Sequence, residues 1–173
     1  MICKLDHSLA QHGLSYTQFK FSNASIQLPP SLVLTKDSPL AVSVTVQNIG
    51  SVASAVTVQV YCSFSDTAKL RVMRHERMLC AFTKIFLEPL ASTVATVSVT
   101  LRTLARWDPH APSTDLTGAS VAGTYVVDAG RWELFVGDCS GAGSAIGLRD
   151  AVPCEQASAN VTLPSTIRFN GKN

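Results

Sequence analysis

The stretch Gly137-Asp138-Cys139-Ser140-Gly141 has the G-x-C-x-G spelling of a nucleophile elbow, in which a sharp strand-to-helix turn presents the attacking atom. The chemistry would be acyl transfer through the Cys139 thiolate. That device needs a helix after the turn, and Gly141-Ala142-Gly143-Ser144-Ala145-Ile146-Gly147 reads as a glycine/serine loop instead. The same loop misses the dinucleotide-binding glycine spacing by one residue and opens no helix, so no cofactor is expected. Cys3, His7 and His12 could begin a metal site, but the second half of a ligand set is absent and no metal is expected. Glycoside hydrolysis needs two carboxyl groups flanking a sugar. The 12 acidic residues are scattered: Glu133 on a strand, Asp128 in a turn, Glu88 before Pro89, Glu76 among arginines. No pair has a spacing that implies convergence, so no catalytic residue is expected in this chain.

Binding candidates are few. Ser65–Arg77 carries Lys69, Arg71, Arg74, His75 and Arg77, and reads as a solvated charged loop. Exposed aromatic rings can stack on sugars. Trp132 alternates in phase with Leu134 and Val136 and belongs in a core, while Trp107 is expected to plug one end of the fold. The five cysteines leave at least one unpaired. Cys139 and Cys154 bracket a loop that a disulfide could staple in an oxidising compartment. Cys62 and Cys80 lie in strand-like runs, where a free thiol behaves as a small buried hydrophobe. Asn23-Ala24-Ser25 and Asn160-Val161-Thr162 are acceptor triplets for N-glycosylation.

The elements that must position these residues alternate with period two. Val42, Val44 and Val46 alternate with Ser43, Thr45 and Gln47, and Val56, Val58 and Val60 with Thr57, Gln59 and Tyr61. Val97, Val99 and Leu101 form a third run, and Trp132, Leu134 and Val136 a fourth. Each pattern places one face in a core and the other in water. Weaker strands are expected at Thr17–Ser25, Met78–Leu87, Gly123–Val127 and Gln156–Leu163. Pro29-Pro30, Asp37-Ser38-Pro39, Asn48-Ile49-Gly50-Ser51 and Glu88-Pro89 punctuate them, and Asp128-Ala129-Gly130 reads as a hairpin turn. Arg102-Thr103-Leu104-Ala105 is a short turn, and Pro109–Ala122 a long loop. Seven or eight short strands without helical periodicity predict an all-β, two-sheet antiparallel sandwich. The expected organisation is a loose segment over 1–12, the sandwich over 13–163 and a loose tail over 164–173.

Five segments, taken in order, resemble one family. Gly13-Leu14-Ser15-Tyr16-Thr17-Gln18-Phe19 resembles the G-L-S-Y-T-x-F segment that opens the C-terminal domain of glycoside hydrolase family 3 enzymes, the β-glucosidases and β-xylosidases. Asn48, Gly50, Gln59 and Tyr61 resemble that family's N-x-G…Q-x-Y strand pair. Leu79, Phe82, Phe86, Leu87 and Pro89 resemble its L-x-x-F-x-x-x-x-L-x-P run. Leu101, Leu104, Trp107 and Asp108 resemble its L…L-x-x-W-D turn, and Gly130, Trp132, Glu133, Leu134, Val136 and Gly137 its G-x-Y/W-E-x-x-V-G strand. The resemblance implies a fibronectin type III-like (immunoglobulin-like) sandwich that follows a barrel domain and an α/β domain. In that family the active site, with its catalytic Asp, belongs to those preceding domains, and no position here matches the catalytic motif.

The resemblance therefore implies a non-catalytic accessory domain, a fragment or remnant of an O-glycosyl hydrolase in carbohydrate metabolism. Its partners would be the catalytic barrel and α/β domains, in cis or in trans. The docking surface expected from the related enzymes lies near the chain start, at Leu14, Tyr16 and Phe19. The alternative is a free-standing module that binds a protein or a glycan. The net charge of +2 over 173 residues gives no reason to expect nucleic acid or an anionic membrane as partner. The N-terminal residues show no secretory leader, although the related family is often secreted.

Overall fold

The valine alternations become the two facing layers of a sandwich. The computed structural model describes residues 16–30, 33–66, 77–114, 120–139 and 156–170. Among them are ten strands: β1 (Phe19–Gln27), β2 (Pro39–Asn48), β3 (Ser54–Phe64), β4 (Met78–Leu87), β5 (Ser92–Thr100), β6 (Arg106–Thr114), β7 (Ser120–Val127), β8 (Gly130–Gly137), β9 (Gln156–Leu163) and β10 (Ile167–Phe169). Helical structure among the described residues is a single 3-10 turn, Leu101–Leu104, where a plain turn was expected.

One sheet has the order β1-β2-β5, the other β4-β3-β8-β9, and all pairs are antiparallel. Val42, Val44, Val46, Val97 and Val99 face Val58, Val60, Trp132, Leu134 and Val136 across the interior, all buried. Each such side chain contributes about 1.5–3 kcal/mol by leaving water. Trp132 is seated by an edge-on contact with Phe64, ring centroids 5.0 Å apart, and its indole N–H donates to the Asp128 carbonyl at 3.1 Å. The core placement expected of Trp132 is what the structure shows.

The departures lie at one end. Pro109–Ala122, expected as a loop, supplies much of β6 and the start of β7, and β7 pairs with both β6 and β10 in a third, three-stranded sheet of order β10-β7-β6. β6 tolerates its prolines because it is an edge strand, with a register shift between Asp108 and Pro112. β10 forms within the stretch expected as a loose tail. Asp128-Ala129-Gly130 is not a hairpin turn: β7 pairs with β6 and β10, β8 with β3 and β9, so the chain crosses there from one sheet to another.

Candidate functional site

The turn that follows β2 is built around one amide. Asn48 is fully buried, and its Oδ1 accepts from the Thr17 hydroxyl at 2.5 Å and the Gly50 amide at 3.1 Å. Its Nδ2 donates to the carbonyls of Val52 at 2.8 Å and Leu87 at 3.3 Å. All four hydrogen-bonding positions of the side chain are used. A Cβ at position 50 would collide with Thr17 Oγ1, so Asn48 and Gly50 are required together. The hub ties the approach to β1, the β2–β3 turn and the end of β4.

Gln59 and Tyr61 depart from the period-two expectation. They lie on the outer face of β3, yet both are buried. The Tyr61 hydroxyl donates to Gln59 Oε1 at 2.6 Å, and Gln59 Nε2 donates to the Asp138 carbonyl at 3.0 Å. Burial pushes the Tyr61 phenol up from its ordinary pKa. Beside them the Arg77 guanidinium lies 3.8 Å from the Phe135 ring centroid and donates to Gln156, whose amide donates to the Cys139 carbonyl at 2.9 Å. The Q-x-Y spelling is thus a polar rivet between β3 and the end of β8.

Two carboxylates do converge, contrary to expectation. β6 and β7 pair so that Arg106 stands opposite Val126 and Asp108 opposite Thr124, and the turn after β7 brings Asp128 alongside. Arg106 donates to both Asp128 oxygens, at 2.9 and 3.2 Å, and its Nη1 lies 2.9 Å from Asp108 Oδ2 as an ion pair outside hydrogen-bond alignment. Burial opposes the Arg106 charge, but the bonds and fields of Asp128 and Asp108 outweigh it and hold the guanidinium above its usual range. The His110 amide donates to Asp108 Oδ1 at 3.0 Å and, with Arg106, holds that carboxyl below its usual range against the cost of burial. A general acid needs the opposite shift. The cluster is a clamp at the base of the third sheet.

Because Arg106 and Asp108 turn inward, Trp107 must turn outward. It is 48% exposed and does not plug the sandwich. Its ring packs against Tyr125, and Tyr125 against Phe169.

A second aromatic surface lies on β4. Leu79, Phe82 and Phe86 are exposed, the two phenyl rings at 69% and 63%. Register places Phe82 opposite Gln59 and Phe86 opposite Ala55 on the outer face of the four-stranded sheet. Beyond the strand, Leu90 is also exposed and adopts a positive φ of 60° in the turn closed by the Ala91 amide on the Glu88 carbonyl. A branched side chain in that conformation is costly.

Of the docking residues expected near the chain start, Tyr16 is almost fully exposed, whereas Phe19 is buried in the core as the first inward position of β1 and is not available for docking. Leu14 lies outside the described residues. Cys62 and Cys80, expected as free thiols, form a disulfide. The register shift after Val60 brings Cys80 beside Cys62, with Cα atoms 6.4 Å apart. Cys139 is disulfide-bonded, which leaves it no thiolate for the elbow chemistry; Cys154, its expected partner, lies outside the described residues. Asn23 is exposed at a bulge in β1, and Asn160 is exposed on β9, where its Oδ1 accepts from Arg131 at 3.4 Å. Cys3, His7, His12, the glycine/serine loop and most of the basic loop also lie outside the described residues. Among the described residues no group of three or more potential metal ligands occurs.

Comparison with known proteins gives one consistent result. The fibronectin type III-like domain model matches residues 56–140. The chain is 28% identical over 158 residues to the thermostable β-glucosidase B of Acetivibrio thermocellus, covering 91% of this chain and 18% of that enzyme. It is 37% identical over 97 residues to a probable β-glucosidase I of Aspergillus fumigatus, covering 56% of this chain and 11% of that protein. The crystal structure of the GH3 β-glucosidase of Bifidobacterium adolescentis superposes with a TM-score of 0.59 and 28% identity, over 87% of this chain and 18% of that one. The chain spans less than a fifth of the length of these relatives.

Proposed function

Since the chain carries a fibronectin type III-like domain homologous to the C-terminal portion of family 3 β-glucosidases, we propose that it is an accessory domain that packs against the catalytic part of such a glycosidase, in cis or in trans. The observation that carries this reading is the outer face of β4, where Phe82 and Phe86 stand exposed on one side of an edge strand. Exposed apolar side chains aligned on one face of an edge strand in this way mark protein contacts. Leu79 extends the stripe along the strand. The exposed Tyr16 retains a place in the docking surface proposed for the chain start; Phe19 does not.

The test is association. A family 3 β-glucosidase lacking its own counterpart domain is expressed together with the full chain, and co-purification and hydrolysis of a chromogenic β-glucoside are measured. Association that is lost on combining Phe82→Ser with Phe86→Ser, with the fold retained by circular dichroism, supports the reading. Failure of the native chain to associate at micromolar concentration overturns it.

A second reading, a module that contacts a glycan, is favoured by one observation. Trp107 stands half exposed on a sheet of its own, away from the β4 stripe in the sheet order. The acceptor triplets at Asn23 and Asn160 are proposed as N-glycosylation sites on the ground of their exposure; a mobility shift removed by a glycosidase and by Asn23→Gln or Asn160→Gln tests them.

A further inference from the structure

The third sheet carries a row of rings on one face. Trp107 on β6 is the register partner of Tyr125 on β7, which is the partner of Phe169 on β10. Trp107 and Tyr125 meet edge to face, with centroids 5.2 Å apart and planes at 70°. Tyr125 and Phe169 are stacked at 5.6 Å and 13°. The row is closed at its Phe169 end, where the cations of Lys36 and Arg102 each lie 5.9 Å from the ring centroid. At the other end Trp107 and Tyr125 remain open to solvent, 48% and 37% exposed. The indole is seated on backbone: a Cβ at Gly123, whose φ is +87°, would run into its Cζ2. A ring fixed in this way loses little rotamer freedom when something stacks on it.

We propose that the corner formed by Trp107 and Tyr125 is a carbohydrate-binding site that stacks a pyranose ring with equatorial hydroxyls, as in a β-1,4-linked glucan, on the indole. The inference rests on the glycan reading above and is independent of docking through β4. A pyranose of this kind presents axial C–H bonds on its faces and hydroxyls around its rim. The indole face complements the first, and the hydroxyl of Tyr125, whose ring is inclined at 70° to the indole, can hydrogen-bond the second. The β4 stripe offers no indole: there the exposed side chains on the same face are Leu79, Phe82 and Phe86, with Lys84 between the phenyl groups.

The test uses the full chain and cellotetraose. Trp132 is 1% exposed, so acrylamide quenching of tryptophan emission reports on Trp107. Millimolar cellotetraose is expected to protect that emission. By isothermal calorimetry, Trp107→Ala is expected to weaken binding about tenfold, with Trp107→Phe and Tyr125→Phe weakened less. If Trp107→Ala fails to fold, Trp107→Phe decides, and affinity equal to the native chain overturns the site. Binding that is unchanged in every variant places the sugar elsewhere and leaves the glycan reading standing. No binding by the native chain overturns both. Protection of Trp107 by the catalytic part of a β-glucosidase, without any effect of sugar, assigns the corner to a protein contact and overturns the proposal.

Discussion

On the outer face of the four-stranded sheet, Gln59 and Phe82 are direct partners across β3 and β4, yet the amide is 5% exposed and the phenyl ring 69%. This inverts the usual arrangement, in which polar groups meet water and rings avoid it. Gln59 can be buried because both ends of its amide are bonded, to Tyr61 and to the Asp138 carbonyl. Phe82 lies on the edge strand, with no further strand beside it among the described residues. Burial on this face therefore follows from what lies above each strand, and residue type alone does not decide it. β3 is finished as a structural element, whereas β4 presents a surface suited to a partner.

If that contrast is right, substitutions at the bonded polar positions should cost stability, and those on the exposed stripe should cost association alone. The largest loss is expected for Asn48→Ala, which strands the Gly50 amide and the Leu87 carbonyl at the end of β4. Urea denaturation should show a loss of about 3 kcal/mol or more. Gln59→Ala leaves the Tyr61 hydroxyl without its acceptor and the Asp138 carbonyl without this donor, and is expected to cost about 2 kcal/mol by the same measurement. A value near zero there would erase the distinction between the strands.

Tyr61→Phe should cost about 1 kcal/mol at neutral pH and carries a pH signature. The folded-state pKa of Tyr61 is raised, so its contribution is complete below about pH 10, the ordinary phenol value, and falls as pH rises toward the folded value. Thermal melts between pH 9 and pH 11 should show that alkaline decline in the native chain and a shallower one in Tyr61→Phe. Asp108 gives the opposite sign. Its depressed carboxyl contributes fully above about pH 4 and loses that contribution as pH falls through its folded value. Arg106→Gln should flatten this acid limb of the melt profile. The smallest effect on stability belongs to Phe82→Ser, expected within about 0.5 kcal/mol of the native chain; a loss above 2 kcal/mol would mean that the ring is held by the fold.

Much of this was legible in the sequence, and the limits have physical causes. The expected bounds of β4 and β9 match the structure, each strand stopping just before a proline-marked turn, at Glu88-Pro89 and at Pro164. β6 was hidden by Pro109 and Pro112, which argue against a central strand but are compatible with an edge strand whose register is broken between Asp108 and Pro112. The meeting of Asp108 and Asp128 depends on the pairing of β6 with β7, so linear spacing held no sign of it. With that pairing in place, the inward turn of Arg106 and Asp108 sets the phase that exposes Trp107. The alternation of β3 was visible, but burial of Gln59 and Tyr61 was not, since hydrogen bonds across the sheet decide it. Pairing of Cys62 with Cys80 required the shift in β3–β4 register, which no sequence period encodes.

The strand order also governs how the chain reaches its fold. β2 lies beside β5, and β3 beside β8, with other strands intervening in each case. β3 and β4 are adjacent in both sequence and sheet, so that pair can form early, while β3 must wait for the whole β5–β7 region before it meets β8. Folds dominated by such distant pairings mature slowly. Throughout that interval the outer edge of β4 offers unsatisfied backbone groups beside two bare phenyl rings, a template for misassociation. The surface proposed to meet a catalytic neighbour is thus the surface most in need of protection while the protein is being made.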